Sequence, residues 1–145
     1  MTYAKGLTAK AQIDIEAPAT HVWQALTDPE MISEYLFGTQ VTTDWRPGSP
    51  ITYRGTWNGT AYEDKGIIEE VVPEKLLRST YWSSMSGTED SPENYAVVTY
   101  ELDASGGKTT LTLTQDNCLT PESRAHSESN WAQVLVQLKK LVEKK

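Results

Sequence analysis

The sequence predicts an α+β fold in which a curved antiparallel sheet of about seven strands wraps around one long C-terminal helix. Apolar residues recur three or four positions apart near the C-terminus, which is the spacing of one helical face. These residues are Trp131, Val134, Leu135, Leu138, Leu141 and Val142. Most of the preceding chain alternates between apolar and polar residues and is interrupted by turn residues, which is typical of strands with one apolar face. The final helix is the only predicted element large enough to cover such a sheet.

The first strand and two short helices come from the N-terminal part of the chain. Residues 8–17 alternate, and one face carries only apolar side chains, namely Ala9, Ala11, Ile13, Ile15 and Ala17. Pro18 begins a short helix whose apolar face holds Val22, Ala25 and Leu26, with Trp23 at its edge. Asp28-Pro29 ends that helix and caps a second one, because the residue before a proline avoids helical angles. Met31, Ile32, Tyr35 and Leu36 form the apolar side of the second helix. Strand 1 is therefore followed by two helices of about two turns each.

Asn58-Gly59 predicts a two-residue hairpin turn, since such turns favour residues that tolerate positive φ. A loop of these two residues pairs Trp57 with Thr60, Gly55 with Tyr62, Tyr53 with Asp64, and Ile51 with Gly66. The opposite face then pairs Arg54 with Glu63 and Thr52 with Lys65. Because that second face is charged with matched signs, we expect it to face water and the aromatic face to lie inside.

Two further hairpins complete the predicted sheet. A turn at Pro73-Glu74 is expected to pair Glu69 with Arg78 on the outer face, and Ile68 with Ser79 and Glu70 with Leu77 on the inner face. A turn at Ser105-Gly106-Gly107 is expected to form the last hairpin. On the inner face it pairs Tyr100 with Leu111, Val98 with Leu113 and Ala96 with Gln115. On the outer face it pairs Thr99 with Thr112 and Glu101 with Thr110. Residues 83–94 are polar and contain Pro92, so we expect a loop there.

The C-terminal helix has a recognisable start. Thr120 is a suitable N-cap, Pro121 suits the first helical position, and Glu122 favours the positive end of the helix dipole. A helix from there to the C-terminus would be about 35 Å long. The complete order is a strand, two short helices, about six antiparallel strands and one long helix, which we interpret as an α+β helix-grip fold.

Composition limits the functional classes. A chain of 145 residues with 38% apolar content suits one domain spanning residues 1–145. The net charge of −7 disfavours nucleic acid and anionic membrane surfaces as partners. Cys118 is the only cysteine, so an internal disulfide is excluded, and no stretch approaches transmembrane length. The first ten residues lack the apolar run of a secretion signal, and we expect a cytoplasmic protein.

Four stretches resemble a known superfamily. They are residues 17–29, Asp44 to Gly48, residues 66–69 together with 73–82, and Asn130-Trp131 with the leucines that follow. They resemble the helix-grip superfamily of START lipid-transfer domains and the birch-pollen-allergen fold, and most of all the domain typified by the activator of the ninety-kilodalton heat-shock protein ATPase. The resemblance implies this fold and allows a stress-related role. It does not extend to the extra N-terminal domain that the eukaryotic co-chaperones carry. A chaperone partner is therefore disfavoured.

The resemblance also implies a cavity between the sheet and the long helix that takes an apolar ligand. The predicted registers place one set of side chains around that space. The set consists of Tyr53, Trp57, Tyr62, Asp64, Ile68, Tyr81, Val98, Tyr100, Leu113 and Gln115 from the sheet, with Trp131 and Leu135 from the helix. Aromatic rings with a polar tip can orient a flat or lipid-like ligand. The alternative interpretation is that the rings simply fill the core.

Asp64 is the clearest candidate for acid–base chemistry. A carboxyl group inside the sheet would have a raised pKa and could serve as an acid or a base. The alternative, which we favour, is that Asp64 lies near the open sheet edge, hydrated or bonded to a tyrosine hydroxyl. His21 and His126 have no further residues at metal-ligand spacing, so neither a metal nor another cofactor is expected, and no catalytic constellation is evident.

The sequence therefore predicts a small module that binds a hydrophobic or aromatic molecule. Two other hypotheses remain open. One is a cyclase, isomerase or hydrolase that uses Asp64 with tyrosine hydroxyls, and the other is a co-chaperone-like interaction module that uses the outer sheet face or the region of Trp82. A homodimer is compatible with each of them.

Overall fold

The computed structural model describes residues 6–36, 38–57, 59–83 and 89–143, and in these ranges it contains seven strands and three α-helices. The strands are β1 (Leu7–Ile15), β2 (Gln40–Thr42), β3 (Pro50–Trp57), β4 (Thr60–Val72), β5 (Leu76–Tyr81), β6 (Ala96–Ser105) and β7 (Lys108–Cys118). The helices are α1 (Ala19–Thr27), α2 (Pro29–Tyr35) and α3 (Pro121–Glu143), and a 3-10 turn spans Pro92–Asn94. The strands form one antiparallel sheet in the order β1-β7-β6-β5-β4-β3-β2. The predicted α+β helix-grip fold is confirmed.

The two short helices follow their sequence signals. In α1 the buried residues are Ala19, Val22, Ala25 and Leu26, and in α2 they are Met31, Ile32 and Tyr35. The Asp28 carboxylate accepts a hydrogen bond from the Glu30 backbone N–H at 3.0 Å, and Pro29 occupies the first turn of α2. The single pair Asp28-Pro29 therefore ends one helix and begins the next, as predicted.

The long helix α3 is anchored by its C-terminal half. The Thr120 hydroxyl accepts from the Ser123 N–H at 3.0 Å, which confirms the predicted cap. From residue 121 to residue 133 no described side chain is buried, whereas Leu135 and Leu138 are at most 1% exposed. The apolar stripe therefore packs on the sheet beyond Trp131, and the first three turns contribute little to the core.

Side chains of α3 also occupy the free edge of β1. The Glu128 carboxylate accepts a hydrogen bond from the Lys10 backbone N–H at 3.0 Å, and the Glu143 carboxylate accepts one from the Glu16 backbone N–H at 2.7 Å. The Lys139 ammonium group donates a hydrogen bond to the Asp14 carbonyl at 2.9 Å. An open strand edge invites pairing with another chain. These contacts block the β1 edge and fix the direction in which α3 crosses the sheet.

The β3–β4 hairpin has the predicted register. Trp57 pairs with Thr60, Gly55 with Tyr62, Tyr53 with Asp64, and Ile51 with Gly66. On the outer face Thr52 pairs with Lys65, and Arg54 pairs with Glu63 and forms an ion pair of 2.9 Å. Asn58, the first predicted turn residue, lies outside the described residues, and Gly59 has the positive φ of 79° that the turn requires.

The predicted register of β4 with β5 is wrong beyond Ile68. Ile68 pairs with Ser79 as expected, but a bulge follows, so that Glu70 rather than Glu69 pairs with Arg78, and Val71 rather than Glu70 pairs with Leu77. Val72 pairs with Leu76, which leaves a three-residue loop with Glu74 at a φ of 67°. The bulge adds one residue to β4, and the outer ion pair forms between Arg78 and Glu70 at 2.8 Å.

The predicted register of β6 with β7 is wrong by two residues. The turn consists of Gly106 and Gly107 alone, both at positive φ, so Ser105 pairs with Lys108. Tyr100 therefore pairs with Leu113 rather than Leu111, and Val98 pairs with Gln115 rather than Leu113, so Ala96 does not pair with Gln115. On the outer face Thr99 pairs with Thr114 and Glu101 with Thr112. A shift of two residues keeps every side chain on its predicted face.

Candidate functional site

The predicted pocket residues divide into two groups by burial. Ile68, Val98, Leu113 and Leu135 belong to the hydrophobic core and are at most 4% exposed. The side chains of Tyr53, Tyr62, Tyr81, Tyr100, Gln115 and Trp131 keep part of their surface accessible. The side chain of Trp57 lies outside the described residues. The aliphatic members therefore form the packed floor, and the aromatic and polar members carry the surface that a ligand could contact.

Tyr53, Asp64 and Tyr81 form a polar cluster on one side of this region. The Tyr81 hydroxyl donates to the Asp64 carboxylate at 2.6 Å, and Asp64 is only 7% exposed. The rings of Tyr53 and Tyr81 meet edge to face with their centroids 5.6 Å apart. The hairpin register places Asp64 beside Tyr53, as predicted, and the carboxylate is bonded to a tyrosine hydroxyl, which is one part of the favoured interpretation. The expected position near the open sheet edge is not observed, because Asp64 is buried on β4, which lies between β5 and β3.

Trp131, Gln115 and Tyr100 form a second cluster under α3. The Trp131 indole N–H donates to the Gln115 side-chain oxygen at 2.7 Å, and its ring meets that of Tyr100 edge to face at 6.5 Å. An indole N–H can only donate, so it fixes the amide oxygen toward the helix and turns the amide NH₂ group away from it. Trp131 therefore joins the start of the apolar stripe of α3 to the inner face of the sheet.

Two side chains of the site were not among the predicted pocket residues. Tyr35 of α2 is 3% exposed, and its hydroxyl donates to the Ala25 carbonyl at 3.0 Å. Thr39 shares a hydrogen bond of 2.5 Å with the Tyr62 hydroxyl, which directs that ring toward β2. The helical spacing of Tyr35 predicted its burial but gave no position relative to the sheet. Nothing in the sequence pattern indicated the Thr39 contact, because it joins a loop to a strand 23 residues away.

The interior tyrosines have raised pKa values. Burial raises the pKa of Tyr53 to about 12, with the Asp64 charge adding to the shift and the nearby Ser79 side chain opposing it. Burial also raises the pKa values of Tyr81 and Tyr100. The charge of Asp64 adds to the increase at Tyr81, and the charge of Tyr53 adds to the increase at Tyr100. Burial raises the pKa of Tyr35 as well. All four hydroxyls are therefore protonated at neutral pH and act as neutral hydrogen-bonding groups.

These raised values predict a loss of stability in alkaline solution. A tyrosine in the unfolded chain ionises near pH 10, whereas folded Tyr53 stays protonated until about pH 12. Between these values the unfolded state binds fewer protons, so the free energy of unfolding should decrease as the pH rises from about 10 to about 12. Urea unfolding at several pH values checks this decrease. Tyr53→Phe should make the decrease smaller. If the free energy of unfolding falls with pH as steeply in the variant as in the unaltered chain, Tyr53 is not a source of the decrease.

A separate groove lies on the outer face of the sheet. It has a volume of about 570 Å³ and is lined by residues of β3, β4 and β5, among them Lys65 and Ile67, and by Asp90, Ser91 and Tyr95. Lys65 forms an ion pair with Asp90, and the Trp82 ring stacks on that of Tyr95 with centroids 6.4 Å apart. The groove is therefore distinct from the two clusters on the inner face.

Metal and membrane features are absent from the part of the chain that the structure describes. No group of three His, Cys, Asp or Glu side chains there could hold a metal ion. His126 contacts Asn130 on the exposed surface of α3, and Cys118 is buried. None of the described helices combines the length and the apolar character needed to cross a membrane.

Comparisons with known proteins bear on this arrangement. The model of the family described as Activator of Hsp90 ATPase homolog 1-like protein matches residues 16–143. The solution structure of ChR145 from Cytophaga hutchinsonii is 44% identical, covers 99% of this chain and 97% of its own, and superposes with a TM-score of 0.84. The Aha1 dimer from Colwellia psychrerythraea is 20% identical over 94% of this chain and 96% of its own, with a TM-score of 0.74. DynU16, from the dynemicin biosynthetic locus, is 18% identical over 94% of this chain and 47% of its own, with a TM-score of 0.78. Comparison with the curated proteins found no match.

Proposed function

This chain belongs to the family of Activator of Hsp90 ATPase homolog 1-like proteins, and from that premise we propose that it binds a hydrophobic or aromatic small molecule between the sheet and α3. The observation that carries the proposal concerns Tyr53 and Tyr100. Both pack against the hydrophobic core on the inner face of the sheet, yet both keep accessible surface. Accessible surface on the core side of the sheet is what a cavity between the sheet and the helix would provide, since close-packed interiors leave few voids larger than a water molecule.

The start of α3 supplies a route of entry in this proposal. Residues 121–133 bury no described side chain, so this part of the helix is held by few apolar contacts. Regions with few buried contacts open at low cost in free energy. We place the entrance between the first turns of α3 and the sheet, next to Trp131 and Gln115, whose side chains would be the first to meet an incoming ligand.

The proposal includes the cytoplasm as the site of action and a stress-related role. A homodimer is also part of it, since the Colwellia relative is a dimer. A chaperone partner and catalysis are not part of it. The Tyr81–Asp64 hydrogen bond is then a fixed polar wall of the cavity and not an acid–base pair.

Binding of a neutral hydrophobic probe tests the proposal. N-phenyl-1-naphthylamine should bind the full chain with a rise in its fluorescence and should raise the melting temperature. Native mass spectrometry of freshly purified protein should also detect a co-purifying small molecule. An empty protein that neither binds nor is stabilised by the probe would contradict the proposal.

A matched pair of variants locates the probe. Val98 lies on the inner face between Ser79 and Gln115, and Val97 is its neighbour on the outer face. Val98 is 4% exposed, so Val98→Phe should cost about 1–3 kcal/mol through overpacking and should weaken binding of the probe, because the larger ring extends into the space between the sheet and α3. Val97→Phe should leave binding unchanged. A folded Val98→Phe variant that binds the probe as tightly as the unaltered chain would contradict a site between the sheet and α3.

A further inference from the structure

The buried part of the protein contains no cationic side chain among the described residues. The buried polar side chains there are Thr39, Asp64, Ser79, Thr99, Thr109 and Asp116, and none of them is a lysine, arginine or histidine. A buried charge is costly unless an opposite charge or several hydrogen bonds accompany it. A carboxylate or phosphate group of a ligand would meet no cation among the buried side chains that the structure describes, and it would lie in the same interior as the Asp64 carboxylate.

The Tyr100 hydroxyl is the interior tyrosine group best placed to meet a ligand. The hydroxyls of Tyr35 and Tyr81 donate to the Ala25 carbonyl and to Asp64. The hydroxyl of Tyr62 is bonded to Thr39, and that of Tyr53 is bonded to the Ser79 side chain. Among the described residues the Tyr100 hydroxyl has no hydrogen-bond partner, although its ring is fixed edge to face on Trp131.

That hydroxyl is not sealed inside the protein. In the described part of the chain no side-chain oxygen or nitrogen is both buried and without a partner. The unpartnered oxygen of Tyr100 therefore keeps accessible surface, in agreement with the partial burial of the whole side chain. A neutral phenol in this position can donate a hydrogen bond to a carbonyl oxygen or exchange one with a hydroxyl group.

We infer that the ligand is an uncharged aromatic compound whose hydroxyl or carbonyl oxygen bonds to Tyr100 while its ring packs against Trp131, and that fatty acids and other anionic amphiphiles are rejected. This inference rests on the proposed function, and it adds the chemical class of the ligand and the residue that recognises it. Selectivity arises from two sources, the hydrogen bond of Tyr100 and the absence of a buried cation in the described part of the chain.

Three probes that share one ring system test the inference on the full chain by calorimetry at neutral pH. They are naphthalene, 2-naphthol and 2-naphthoate. We expect 2-naphthol to bind about 3- to 10-fold more tightly than naphthalene, the usual effect of one neutral hydrogen bond. We expect 2-naphthoate to bind more than about 100-fold more weakly than 2-naphthol, because its charge would be buried without a counterion.

Two tyrosine-to-phenylalanine variants separate recognition from folding. Tyr100→Phe should reduce the affinity for 2-naphthol to that for naphthalene and leave the affinity for naphthalene unchanged. Tyr35→Phe removes a hydroxyl that is already bonded to Ala25, so it should leave the preference for 2-naphthol intact. The comparison of 2-naphthol with 2-naphthoate uses the unaltered chain and decides the charge selectivity even if a variant fails to fold.

The outcomes distinguish this inference from the proposed function. Binding of 2-naphthoate as tight as that of 2-naphthol would overturn the inference, as would a Tyr100→Phe variant that keeps the preference for 2-naphthol. In both cases binding of naphthalene would leave the proposed function standing. Failure of all three probes to bind would overturn both.

Discussion

Replacing Leu138 with alanine will lower the free energy of unfolding by about 2–5 kcal/mol, the range typical of large-to-small substitutions in a packed core. Leu138 is 0% exposed and belongs to the buried stripe that holds α3 against the sheet. The first turns of α3 bury no described side chain, so the anchoring of the helix depends on this stripe. Urea unfolding followed by tryptophan fluorescence measures the effect.

Val136 provides the matched control. It lies on the same helix two residues away and is 40% exposed, so Val136→Ala should change stability by no more than about 0.5 kcal/mol. A Leu138→Ala variant that loses less than about 1 kcal/mol would mean that the C-terminal half of α3 is not packed on the sheet as described.

Replacing Gly66 with alanine will destabilise the protein by about 3 kcal/mol or more, which is the upper range for overpacking. A Cβ atom at Gly66 would lie 1.8 Å from the Thr80 carbonyl oxygen. Because that oxygen belongs to the backbone of the adjacent strand, the clash can be relieved only by separating β4 from β5. Calorimetric melting should show a much lower melting temperature, or the variant should fail to fold.

Gly55 is the control for this prediction because it lies on the neighbouring strand of the same hairpin. A Cβ atom at Gly55 would meet the Tyr62 hydroxyl at 2.5 Å, which is the far end of a side chain that can move. Gly55→Ala should therefore cost about 1 kcal/mol, the value of the Tyr62–Thr39 hydrogen bond that would be disturbed. Equal losses for the two variants would argue against the close approach of β4 and β5 at Gly66.

Much of the sheet could be predicted from turn residues and alternation. Asn58-Gly59 fixed the β3–β4 register because a two-residue loop allows only one pairing. The β4–β5 bulge could not be predicted, since Glu69 and Glu70 are equally able to pair with Arg78. The β6–β7 register differed because Gly106-Gly107 alone forms the turn, whereas the three residues Ser105-Gly106-Gly107 fit the sequence equally well.

The candidate site could be predicted only as a set of inward-facing residues. The period of two placed Tyr53, Asp64 and Tyr100 on the inner face, and the two-residue error in the last hairpin did not change this. Which hydroxyl is engaged depends on contacts between distant segments, such as Tyr62 with Thr39. The pattern also gave no reason to separate Val98, which is fully packed, from Tyr100, which keeps accessible surface.

The indole N–H signals of the tryptophans distinguish binding at the inner site from binding in the outer groove, because Trp131 lies at the inner site and Trp82 lies beside the outer groove. Naphthalene titrated into the ¹⁵N-labelled full chain can be followed by two-dimensional NMR. Binding between the sheet and α3 predicts a saturable shift of the Trp131 signal with little change at Trp82. A Trp131 signal that does not move, or a shift confined to Trp82, would contradict binding between the sheet and α3.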